Sequence, residues 1–104
     1  MSSSHDFITD KRNKKIKIYI NGKFFLRDKA KISVFDSSVL LGDGCWDSLR
    51  YHNNKFIFLN EHLKRLYKDA KIIGLKIHLK PKDLIKELKK TIEINKMKSD
   101  VHLR

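Results

Sequence analysis

An α+β fold is predicted for this chain: antiparallel strand hairpins first, then two helices, then a closing strand. Three observations predict it. Ile16, Ile18 and Ile20 alternate with lysine and tyrosine, the period-2 pattern of a half-buried strand. Asn21-Gly22 follows at once, and both residues tolerate the positive φ that a two-residue hairpin turn demands. After residue 60 the apolar spacing changes to three and four, the period of an amphipathic helix.

The elements follow in order. Residues 1–14 are polar and charged without periodicity and read as a mobile tail ahead of a single domain over 15–104, with no repeat and no internal boundary. Residues 23–26 (KFFL) return from the Asn-Gly turn as the second strand. Residues 31–35 (KISVF) form another short strand-like run. Residues 46–51 alternate again, with Trp46, Ser48 and Arg50 on one face and Asp47, Leu49 and Tyr51 on the other. His52-Asn53-Asn54 supplies a turn, and residues 55–59 (KFIFL) return as a strand. Asn60 is a suitable N-cap for the first helix, with Glu61 at its positive end. Leu63, Leu66, Tyr67, Ala70 and Ile73 form its stripe, and Gly74 ends it. Pro81 opens the second helix, whose apolar face is Leu84, Ile85, Leu88 and Ile92. Residues 101–104 (VHLR) begin a last strand.

Composition narrows the function classes. With 40% hydrophobic and 35% charged residues over 104 positions, the chain suits one globular domain rather than a disordered one. No apolar run reaches the roughly 18–20 residues of a membrane span, and the first residues lack the apolar core of a secretory signal. One cysteine cannot close an internal disulfide, which points to a reducing cytoplasm. The net charge of +12 raises a nucleic-acid partner, because lysine and arginine neutralise phosphates and release counterions. Yet 19 lysines against 5 arginines, scattered along the chain, argue against nucleic-acid recognition, which favours planar arginine forks.

Several residues invite chemistry. Gly42-Asp43-Gly44 is neither a P-loop nor a dinucleotide fingerprint and reads as a tight turn. Cys45 as a nucleophile would need a base, with His52 across the hairpin as the candidate; a packed, inert cysteine is the simpler reading. The five histidines have no metal-ligand spacing, so no metal is expected. The Trp46/Ser48/Arg50 face is either a pocket wall or an exposed sheet face. Arg65 points roughly 135° from the apolar stripe of its helix. Ile72 on the same side hints at a missing covering surface.

Taken together, Tyr19-Ile20-Asn21-Gly22, Gly42-Asp43-Gly44, Trp46-Asp47 leading to Arg50, and His62-Leu63-Lys64-Arg65-Leu66 resemble the class IV aminotransferases. These fold-type IV pyridoxal-phosphate enzymes include branched-chain and D-amino-acid aminotransferases and aminodeoxychorismate lyase. The resemblance runs from about residue 16 to residue 104, in order and spacing, and is to the small N-terminal domain. It implies pyridoxal 5′-phosphate as cofactor, with Arg65 on the cofactor phosphate. It implies Trp46 and Arg50 on the substrate side of the pocket, with Leu41 and Ser48 at other pocket-lining positions. His102-x-Arg104 is similar to the Y-x-R that holds the substrate carboxylate, and histidine in place of tyrosine leaves the substrate class open. The Schiff-base lysine of the family lies in a larger C-terminal domain, so none of the lysines here matches it and no catalytic residue is assigned.

The expectation is therefore an N-terminal portion of an enzyme that exchanges amino groups between amino acids and 2-oxo acids, inactive alone. A homodimer in the cytoplasm is implied, with no membrane. Two other readings stand beside it: a non-catalytic interaction module, whose exposed strand edge invites pairing, and a basic nucleic-acid-binding domain.

Overall fold

The structure, a computed structural model, describes residues 10–104. It is α+β and falls into two compact units, one ending at Lys31 and one spanning Ile32–Arg104. The tail read over residues 1–14 lies mostly outside the described residues. Its last part is folded locally: Asp10 accepts a hydrogen bond from the Arg12 amide at 2.9 Å and caps a short 3-10 turn, Lys11–Lys15.

In the first unit, β1 (Lys17–Ile20) pairs antiparallel with β2 (Lys23–Leu26), with Ile20 opposite Lys23. Asn21 and Gly22 take φ of 49° and 86°, the two positive values of a type I′ turn whose twist matches that of the strands. Tyr19 and Phe24 face each other across the ladder and pack edge to face at 5.6 Å between ring centroids.

The second unit opens with a departure from the sequence reading. Residues 31–35 form no strand; they are exposed, and their backbone bonds are local. The Asp36 amide donates to the Ser33 carbonyl, and the Phe35 amide to the Ser33 hydroxyl. Asp36 then caps a single helical turn, α1 (Ser37–Leu40), through the Ser38 amide. The Ser33 hydroxyl takes the Phe35 amide that a ladder would have used, and no strand among the described residues pairs with this segment.

β3 (Leu49–His52) is the centre of a three-stranded antiparallel sheet in the order β4-β3-β5, with β4 (Lys55–Ile57) on one side and β5 (Val101–Leu103) on the other. The strand begins three residues later than the alternation from Trp46 suggests. The Asp47 carboxylate accepts the Ser48 amide at 2.9 Å, which withdraws that donor from the ladder. Asn53 and Asn54, at φ 50° and 62°, close the β3–β4 hairpin.

Two helices complete this unit, α2 (Leu59–Ile72) and α3 (Pro81–Ile94). Asn60 does not cap α2. The capping position is Phe58, left-handed at φ 54° and without a side-chain cap bond, so β4 is shorter and the helix earlier than expected. A bulky residue there is strained, so local preference does not set this start. The far end follows its sequence signal: Gly74 is left-handed, its amide donates to Lys71, and the Leu75 amide reaches back to Ala70 at 2.8 Å. Pro81 occupies the first position of α3, where its missing N–H has no intrahelical partner to lose.

Among the described residues the buried hydrophobic ones are Leu49 of β3, Leu63 and Ala70 of α2, and Ile92 of α3. A fully buried leucine or isoleucine contributes about 1.5–3 kcal/mol. Ile73, placed on the α2 stripe by periodicity, is exposed because it falls at the cap. No helix among the described residues is long and apolar enough to cross a membrane.

Candidate functional site

Asp47 sits just before β3, in a segment pulled out of the ladder, and its side chain is only 8% exposed. A carboxylate so far withdrawn from water must be paired and hydrogen-bonded, and this one accepts from four donors. Arg65 of α2 forks onto it, Nε to Oδ2 at 2.7 Å and Nη2 to Oδ1 at 2.8 Å. His62 Nδ1 lies 2.7 Å from Oδ1, and the Ser48 amide completes the set at 2.9 Å. Because the carboxylate is ionised, His62 carries its proton on Nδ1 and donates; its 3.3 Å approach to Arg65 Nη2 is then proximity and not a bond.

The Arg65 fork, followed by the His62 and Ser48 bonds, holds the Asp47 carboxyl well below the usual carboxylate range despite its burial. The same pairing raises the Arg65 pKa. His62 and Arg65 stand three residues apart on α2, on one side of the helix, and so reach the same acceptor. The Arg65 side chain remains 62% exposed. Its inner edge is fixed, while Nη1 and the outer hydrogen of Nη2 face away from the carboxylate.

The second candidate surface is the outer face of the sheet. In register, Arg50 of β3 lies opposite His102 of β5 on one side and Ile57 of β4 on the other. The guanidinium of Arg104 stacks over the Trp46 ring, 4.3 Å from its centroid, a cation–π contact. Trp46 itself is 62% exposed. The Arg50 side chain also approaches Asp100, Nη2 to Oδ1 at 3.4 Å.

Of the residues singled out from sequence, Trp46 and Arg104 are therefore in contact, and Arg50 and His102 are paired across strands. Ser48 lies between Asp47 and β3 and contributes its amide to the cluster. Leu41 is at the C-cap of α1 and 75% exposed. Gly42, at φ 70°, shapes a turn, and Cys45 is a free, half-buried thiol. No metal-binding group occurs among the described residues.

Sequence reasoning gave no role to Asp47 or His62. The i,i+3 spacing of His62 and Arg65 was a usable signal, since it places two donors side by side and calls for an acceptor.

Arg50 on β3, Arg104 stacked over Trp46, and an exposed Arg65 forked onto Asp47 are the guanidinium groups that this geometry brings forward. The family model for amino-transferase class IV matches residues 44–104, and the chain belongs to that family. The putative branched-chain-amino-acid aminotransferase of Methanocaldococcus jannaschii is 37% identical over 89 residues, covering 86% of this chain and 31% of that protein. A D-alanine aminotransferase of Staphylococcus aureus is 32% identical over 82% of this chain and 30% of its own length. Among solved structures, the branched-chain aminotransferase of Thermoproteus uzoniensis with norvaline superposes with a TM-score of 0.76 at 29% identity, over 85% of this chain and 31% of that one. A second branched-chain amino acid aminotransferase, from T.th. and complexed with N-(5′-phosphopyridoxyl)-L-glutamate, gives a TM-score of 0.74 at 30% identity, over 83% of this chain and 30% of that one. The chain thus spans under a third of the length of these relatives.

Proposed function

We propose that this chain is the N-terminal portion of a pyridoxal-phosphate-dependent aminotransferase, supplying the cofactor-phosphate grip and one wall of the substrate pocket. The observation that carries this reading is Arg65, its guanidinium braced on one edge and exposed on the other. A phosphoryl group suits that donor set, because a planar fork matches two phosphate oxygens at once. When bound, pyridoxal phosphate supplies an electrophilic carbonyl and an electron-withdrawing ring, the chemistry of amino-group exchange. The residues of this chain bind and orient. Arg65 pairs with the phosphate. Trp46 offers an apolar wall and, through its ring face, steadies Arg104. Arg50, His102 and Arg104 form a cationic face for the carboxylate of an amino acid or 2-oxo acid, with Leu41 and Ser48 at its margin.

This chain alone does not turn over in that reading, since the covalent lysine of the family has no counterpart among its residues. A homodimer accords with the exposed side chains of Val34, Phe35, Leu40 and Leu41, and a cytoplasmic setting accords with the free Cys45.

The test is a titration of the purified chain with pyridoxal 5′-phosphate, beside Arg65→Ala and with an amino acid and a 2-oxo acid present. Loss of charge-assisted bonds predicts roughly 10- to 100-fold weaker binding for the variant, and no amino-group exchange in either sample. Turnover by the chain alone, or equal affinity for the variant, overturns the reading.

A further inference from the structure

The geometry points to Asp47 as a positioning residue for the anion site: it holds the inner edge of the Arg65 guanidinium so that the outer edge is presented to an incoming phosphate, with His62 and the Ser48 amide bracing the carboxylate. This rests on the reading that Arg65 meets the phosphate.

Asp47 is not itself a ligand group. Both of its oxygens are occupied by this chain's own donors, Oδ2 by Arg65 Nε and Oδ1 by Arg65 Nη2, His62 Nδ1 and the Ser48 amide. Its side chain is 8% exposed against 62% for Arg65, so the pair has a dry inner edge and a wet outer one. An unbraced arginine on a helix surface samples many rotamers, and binding an anion must freeze them. Here the two-point fork fixes the guanidinium plane beforehand, and Oδ1 is itself held by two donors from different places in the chain, His62 on α2 and the amide that precedes β3. The brace therefore links the start of the central strand to the helix that carries the arginine.

The opposite role is physically reasonable and gives opposite signs. A carboxylate beside an arginine also lowers the positive potential and competes with an incoming anion. Positioning predicts that removing the carboxylate weakens phosphate binding; competition predicts that removal strengthens it.

The experiment uses the full chain and follows the Arg65 Nε–H signal by proton–nitrogen correlation NMR while inorganic phosphate, then pyridoxal 5′-phosphate, is added. Expected is a distinct Arg65 signal in the unmodified chain that shifts with phosphate. Asp47→Asn, similar in shape, should lose that distinct signal and bind phosphate roughly three- to tenfold more weakly, the freezing of one long side chain. Asp47→Glu keeps the charge with a longer reach and should fall between the two. If Asp47→Asn does not fold, weaker binding by Asp47→Glu at equal charge supports positioning, and equal binding overturns it. Tighter phosphate binding by Asp47→Asn overturns the proposal in favour of competition. A lower melting temperature with unchanged phosphate affinity overturns it in favour of a purely structural role. Arg65→Lys separates the two layers. If that variant binds phosphate as the unmodified chain does, or if phosphate leaves the Arg65 signal unmoved, the phosphate reading itself falls and positioning falls with it.

Discussion

Asp47 and Asp100 each stand beside one arginine and one histidine, and the two groupings differ in almost everything else. Asp47 is 8% exposed and receives both arms of Arg65 at 2.7 and 2.8 Å, with His62 at 2.7 Å. Asp100 is 69% exposed, a single arm of Arg50 lies at 3.4 Å, and His52 Nδ1 lies at 3.2 Å. That imidazole nitrogen is shared between two incompatible roles, because the Asp100 amide also donates to it at 3.3 Å. It accepts from the amide when deprotonated and donates to the carboxylate when protonated, never both. The same three residue types thus yield a saturated, directional cluster in one place and a loose, solvated one in the other. Burial decides between them: a carboxylate withdrawn from water keeps only the donors the protein provides, whereas an exposed one trades each of them for water.

The comparison is open to direct attack, and the largest effect falls on Asp47. Replacing it with alanine strands the His62 and Ser48 donors, and chemical denaturation should show a loss of about 2 kcal/mol, in the range for hydrogen bonds to a charged group. The loss stays at that level because Arg65, already exposed, is rehydrated when released. A loss below about 0.5 kcal/mol would place Asp47 with ordinary surface ion pairs.

Acid sharpens the same point. The folded state depresses the Asp47 pKa below its ordinary value of 3.8. Its contribution is therefore complete above that value and is lost as pH falls below about 4 toward the folded pKa. Stability measured from pH 6 down to pH 2 should decline in the unmodified chain, and Asp47→Asn should decline less over that window. Parallel curves would show that Asp47 is not the group responsible.

The smallest effect belongs to Asp100. Asp100→Asn should change stability by under about 0.5 kcal/mol, since exposed pairs at these distances contribute little. A change as large as that of Asp47→Ala would dissolve the contrast altogether.

Much of the architecture is legible in the sequence. The Asn21-Gly22 turn, the asparagines at 53 and 54, Gly74 and Pro81 act through their own backbone preferences, so each signal is local and each element it bounds appears in the structure. The misreadings share one cause. Residues 31–35 have strand-like residues but no neighbouring strand, and β-propensity has little meaning without a partner. Phe58 takes a left-handed conformation that no local preference would choose. Trp46 and Asp47 alternate correctly but leave the ladder because a side chain claims the next amide.

The site divides along the same line. By itself the sequence determined the residue types and their spacing: Arg65 on the polar side of a helix, His62 one turn before it, Arg50 within an alternating strand and Arg104 at the end of the last one. These are consequences of the helical and strand periods, which depend only on neighbours along the chain. Tertiary structure alone decided that the Asp47 carboxylate is largely withdrawn from water, that it meets Arg65 across 18 residues, and that Arg104 lies over Trp46 across 58. Such pairings are set by how α2 and β5 pack around β3, and that packing is a collective result of burial that no single segment encodes.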